Sequence, residues 1–125
     1  MEYEELTHKI IGIAYKVFNT LGFGFLESIY KKAMIIELVK NNLRVEKEKP
    51  LKVYYKNQTI GDFFVDLYVE DKIVVELKSV ENLLKQHEVQ LVNYLQGMQK
   101  DIGLLIPEFC TNRRISYARH LRAKP

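Results

Sequence analysis

Residues 63–80 read FFVDLYVEDKIVVELKSV. Apolar residues recur at every second position, and the pattern is interrupted by the charged triplet Glu70-Asp71-Lys72. A period of two is the mark of a half-buried strand, so the stretch predicts a hairpin of two strands, 60–69 and 73–80, turning at that triplet. In the first strand Phe63, Val65, Leu67 and Val69 share one face, and Phe64, Asp66 and Tyr68 the other. In the second, Ile73, Val75 and Leu77 lie opposite to Val74, Glu76 and Lys78. Burying both apolar faces in one layer pairs Val65 with Leu77, Leu67 with Val75 and Val69 with Ile73; a slip of one residue would turn one strand inside out. Asp66 then stands directly opposite Glu76, with Lys78 two residues further along the same face.

Like charges paired across a sheet are destabilising, by about 0.2–1 kcal/mol when exposed and by more when desolvated. A bound divalent cation would remove that repulsion, because hard ions take oxygen ligands. The backbone carbonyl of Leu77 supplies a further oxygen, and Lys78 is positioned to stabilise negative charge or orient a water. The plainer alternative is a solvent-facing charge cluster in which Lys78 bridges the two acids.

Outward from the hairpin, Leu6, Ile10, Ile13, Val17 and Leu21 recur at helical spacing and predict a helix over 4–20. Gly22 and Gly24 stop it. A second helix is expected over 26–41, with Leu26, Ile29, Ala33, Ile36 and Leu38 as its apolar positions. Residues 44–49 alternate weakly and Pro50 interrupts them, which suits an edge strand or a bulge. A strand over 51–55 and a turn at 56–59 lead into the hairpin. A third helix over 83–99 carries Leu84, Leu91, Leu95 and Met98 on one side, and a short strand over 102–106 ends at Pro107. Beyond Thr111 the pattern is weak. The order ααβββ(β)αβ is that of an α/β domain with a mixed central sheet flanked by helices.

The 125 residues suit one domain spanning 1–125, and 47% of them are apolar, enough for a real core. The net charge of +3 does not by itself mark a nucleic-acid binder. Basic residues crowd the C-terminal end, where Arg113 and Arg114 begin either a phosphate-contacting arm or a solvated tail. The single cysteine, Cys110, excludes an intrachain disulfide and a cysteine-rich zinc site. Neither a signal peptide nor a membrane-spanning run is visible, so a cytoplasmic protein that does not engage a membrane is expected.

Asp66 followed by Glu76-Leu77-Lys78 resembles the D…ExK signature of the PD-(D/E)xK nuclease superfamily. Gly24-Phe25-Leu26-Glu27-Ser28-Ile29-Tyr30 reads GxxExxY, the motif that names the GxxExxY-type family within it. Gln90-Leu91-Val92-Asn93-Tyr94 is similar to the QxxxY motif of RecB-like members. The three motifs fall in order on the right elements, over a span from the first helix to about Ile106; Val65 stands where the superfamily's name has proline. The resemblance implies a restriction-endonuclease-like core and hydrolysis of nucleic-acid phosphodiester bonds, with DNA ahead of RNA as substrate. It implies Mg²⁺ or Mn²⁺ held by Asp66, Glu76 and Glu27, the last directly or through water. Glu27, Asp66, Glu76, Lys78, Gln90 and Tyr94 form the implied catalytic set. Tyr30, His87, Arg113 and Arg114 are candidate nucleic-acid contacts, although Tyr30 reads equally as a core aromatic and His87 as part of a half-exposed helix face. His87, Gln90 and Tyr94, three and four apart, form one polar stripe. A domain this small would call on a second copy of itself or an accessory protein to grip its substrate. A non-catalytic nucleic-acid- or partner-binding module on the same fold is the alternative.

Overall fold

The computed structural model describes residues 3–22, 24–78, 84–100 and 102–107, and the backbone of 116–119. The elements are α1 (Tyr3–Leu21), α2 (Glu27–Lys40), β1 (Val45–Tyr55), β2 (Gln58–Val69), β3 (Ile73–Lys78), α3 (Lys85–Met98), β4 (Ile102–Pro107) and β5 (Ser116–Arg119). The strands form a mixed sheet in the order β1-β2-β3-β4-β5. Among the described strands only β3 and β4 run parallel, because α3 carries the chain back across the sheet between them. The strand ending at residues 79–80, and Arg113 and Arg114, lie outside the described residues.

Helices cover both faces. On one, Leu6, Ile10, Ala14 and Val17 of α1 and Tyr30, Met34 and Leu38 of α2 pack on Leu67, Val69, Ile73 and Val75. On the other, Leu91, Leu95 and Met98 of α3 pack on Tyr68, Val74 and Leu105. Gly103 of β4 permits this close approach, since a Cβ there would meet the Leu91 side chain at 2.9 Å. The expected apolar stripes of two helices are corrected here. Ile29 and Ile36 of α2, Leu26 just ahead of it, and Leu84 ahead of α3 are exposed. Tyr30 and Met34, between the expected positions, are buried with Leu38 instead. Among the described residues no helix is long and apolar enough to cross a membrane.

Leu67 pairs with Val75 and Val69 with Ile73, in the register that the apolar faces require. The ladder ends there, short of the expected Val65–Leu77 pair. The reason lies on the neighbouring strand. Glu48 of β1 sits in the left-handed region at φ 50°, opposite Asp66, and the Glu48/Asp66 pair drops out of the β1–β2 ladder, which shifts register once more between Val53 and Tyr54. Both strands change face at that point. Val45 and Leu67 pack with α1 and α2, whereas Leu51, Val53, Phe63 and Val65 pack with α3. The expectation that Phe63 and Val65 share a buried layer with Leu67 and Val69 is therefore corrected: the hairpin crosses from one core to the other, and Asp66 stands at the crossing. Strand β1 also runs unbroken through Pro50, which the sheet edge tolerates because no neighbour needs its missing N–H. The pairing of β5 with β4 is antiparallel.

Candidate active site

Where the backbone ladder stops, side chains take its place. Asp66 N–H donates to Glu76 Oε1 at 3.0 Å, and Leu77 N–H donates to Asp66 Oδ2 at 2.8 Å. Each acid thus satisfies a strand amide that would otherwise be orphaned, and each is fixed in orientation by it. The second Asp66 oxygen, Oδ1, lies 3.5 Å from Lys31 Nζ of α2, which also sits 3.5 Å from Glu48 Oε1. The side chains of Lys31 and Asp66 are only 15% and 17% exposed, so the pair is poorly screened.

Glu76 is 7% exposed, an uncommon position for a carboxylate. Its pKa is pushed up to about 8, first by burial and then by the charge of Asp66. Glu27, at the first turn of α2, pushes the same way, and Lys78 opposes. Three of the residues singled out from the sequence, Asp66, Glu27 and Lys78, therefore converge electrostatically on a fourth, the Glu76 carboxylate.

A cleft on the α3 side of the sheet brings in the rest. Glu76 and Lys78 line it from β3 and Phe63 and Phe64 from β2, facing His87, Gln90 and Tyr94 of α3. His87 Nδ1 accepts Leu84 N–H at 3.0 Å and so caps the helix. A neutral ring then carries its proton on Nε2. Tyr94 stacks on Phe63 with ring centroids 4.0 Å apart.

Tyr30 is not on this surface. It is 2% exposed and stacks on Phe18 at 4.4 Å. Its hydroxyl donates to the Gly22 carbonyl at 2.6 Å and accepts Phe25 N–H at 3.2 Å. Gly22 and Gly24, at φ 75° and 101°, make the sharp turn, and Tyr30 clamps it. The expected nucleic-acid contact at Tyr30 is corrected by this burial. The turn leads into α2, whose first residue, Glu27, is near enough for its charge to raise the Glu76 pKa.

The oxygen donors suit a hard divalent ion. Two carboxylates held by backbone amides are the usual protein share of a Mg²⁺ shell, the remainder being water or phosphate. Among the described residues no three His, Cys, Asp or Glu side chains form a ready-made metal cluster.

Neither Lys31 nor Glu48 is singled out by the sequence. The available signal is spacing: Glu27 and Lys31, four apart, share one face of α2. Lys31→Met should lower the Tm of the metal-free protein, because the mostly buried Asp66 carboxylate would lose its Lys31 ion-pair partner. The expected loss is about 1–2 kcal/mol, and saturating Mg²⁺ should recover most of it. An unchanged metal-free Tm would remove Lys31 from the charge balance of the site.

A family model of the PD-(D/E)XK nuclease superfamily matches residues 4–119. No curated protein matches the chain. Among solved structures, the crystal structure of SSO0001 aligns with a TM-score of 0.42 and 18% identity, over 94% of this chain and 80% of that one. The family match takes in every element from α1 to β5, including the strands on which Asp66 and Glu76 meet: the chain belongs to the PD-(D/E)XK nuclease superfamily.

Proposed function

We propose that the protein is a divalent-metal-dependent nuclease that hydrolyses phosphodiester bonds, with DNA ahead of RNA as substrate, and that it is of the GxxExxY type within its superfamily. The observation that carries this reading is the buried Glu76 carboxylate pressed against Asp66, a costly arrangement unless a cation or a proton relieves it. Asp66 and Glu76 would hold Mg²⁺ or Mn²⁺, with the Leu77 carbonyl as a further oxygen and Glu27 acting through water. A bound ion there would supply a water of lowered pKa and offset charge on the scissile phosphate. The chain's own residues do the rest. Backbone amides of Asp66 and Leu77 hold the carboxylates in place. Lys78 meets the negative charge that develops on the phosphate. Gln90 and Tyr94, across the cleft, orient the attacking water or a phosphate oxygen.

The deciding experiment incubates the protein with single- and double-stranded DNA and RNA, with Mg²⁺, Mn²⁺ or EDTA. Metal-dependent cleavage that Glu76→Ala abolishes supports the reading. Cleavage that persists in Glu76→Ala is contamination and counts against it. If the wild type cuts nothing in the panel but binds it, the fold serves as a non-catalytic nucleic-acid-binding module.

A further inference from the structure

Two chemically different sets of side chains line the cleft. One is charged and polar: Glu76, Lys78, Gln90 and His87. The other is aromatic. Phe63 and Tyr94 stack to form a half-buried wall, with an interplanar angle of 24°. Phe64, the next residue along β2, lines the same cleft and is 63% exposed. A single exposed apolar side chain is ordinary on a protein surface. What distinguishes Phe64 is its place, two residues from Asp66 and in one cleft with Glu76 and Lys78.

A nucleotide has the same polarity as the cleft, since it carries a charged phosphate one sugar away from a flat π-face. Aromatic side chains beside a cationic groove are the usual means of gripping a nucleic-acid strand without reading its sequence. In a duplex the base faces are stacked on one another and offer nothing to Phe64. In a single strand, or at a frayed end, they are free. A shallow groove along α3 shares His87, Gln90 and Tyr94 with the cleft and continues past Lys85 and Asn93, giving the backbone of such a strand a path away from the site.

We propose that Phe64, exposed beside Asp66 on β2, is a platform for an unpaired nucleobase, and that the site acts on single-stranded or frayed-end nucleic acid. The inference rests on the nuclease reading for the position of the phosphate, but its test does not depend on cleavage. Fluorescence anisotropy in EDTA compares a labelled oligothymidine with a blunt, closed hairpin duplex, for wild type and for Phe64→Ala, Phe64→Leu and Phe64→Trp. Wild type should bind the single strand at least about tenfold more tightly than the duplex. Phe64→Ala and Phe64→Leu should lose about 5- to 100-fold of the single-strand affinity, and Phe64→Trp should keep it. The slope of affinity against salt should stay the same, because no phosphate contact is removed. Thermal melting of each variant should match wild type, Phe64 being largely outside the core.

Equal or tighter binding of the duplex would overturn the proposal, as would wild-type affinity in Phe64→Ala. Absence of binding to either probe at about 100 μM, a non-specific range, would overturn it too. Failure of the nuclease reading has a different signature: binding that depends on Phe64 without cleavage of any substrate. Glu76-dependent cleavage joined to Phe64-independent binding would sink the platform alone.

Discussion

Lys78→Ala is expected to bind metal and nucleic acid nearly as wild type does and to cleave about 10²–10³-fold more slowly, the usual effect of deleting one preorganised charge-stabilising group. The expectation rests on position. Lys78 is the last residue of β3, half-buried among the residues that line the cleft, and its charge is already felt by Glu76 on the same strand. On the proposed reading a lysine held there would meet the phosphate where charge develops, and the strand fixes its base. Lys78→Met separates charge from packing, since it keeps most of the apolar stem. Single-turnover rates report chemistry, and a salt series of binding constants reports phosphate contacts. Should both variants cleave at the wild-type rate and differ only in salt-sensitive affinity, Lys78 is a binding residue and the mechanism falls.

Glu76→Gln should change how stability depends on pH. The folded-state pKa of Glu76 is about 8, against an ordinary value of 4.5. Between those values the folded protein holds a proton that the unfolded chain has released, so stability falls as pH rises. The contribution of protonated Glu76 is complete below about pH 4.5 and is lost as pH passes through about 8. A tenfold difference in proton affinity between the folded and unfolded states corresponds to about 1.4 kcal/mol, so the whole swing is several kcal/mol at most. Glutamine can accept the same Asp66 amide without ionising. The metal-free variant should therefore melt higher than wild type at about pH 9, with the gap closing toward about pH 5. Wild type should gain stability from Mg²⁺ or Mn²⁺, increasingly so as pH rises, because the ion must displace the proton. The variant should lose most of that gain. Parallel Tm profiles across that pH range would show that Glu76 is not the group under strain. Replacing Asp66 as well confuses the experiment, because Asp66 also partners Lys31 and the Leu77 amide.

Much of this arrangement is legible in the residues. The α1 stripe, the β2–β3 register and the meeting of Asp66 with Glu76 follow from apolar periodicity, because burial of one face is the dominant local force. The change of face at Glu48 and Asp66 does not. Glu48 is not a glycine, so nothing in its identity announces φ 50°, and an alternation count assumes a regular ladder throughout. The buried face of α2 is hidden because the helix carries more apolar residues than it buries; Ile36 and Val39 are over half exposed. The lysine of the D…ExK motif stands out by spacing, whereas Lys31 gains meaning only when the fold brings α2 beside Asp66. Strand β5 has a weak pattern of its own and depends on β4 as its template.

The exchange of bonds between Asp66 and Glu76 gives the protein its own spectroscopic labels. The amide protons of Asp66 and Leu77 each rest on one of the two carboxylates. Their chemical shifts are tied to whatever those oxygens hold, whether a proton, the Lys31 ammonium or a metal ion. Two backbone resonances of a 125-residue chain, small enough for routine NMR assignment, follow the occupancy of the site with no probe attached and no substrate added.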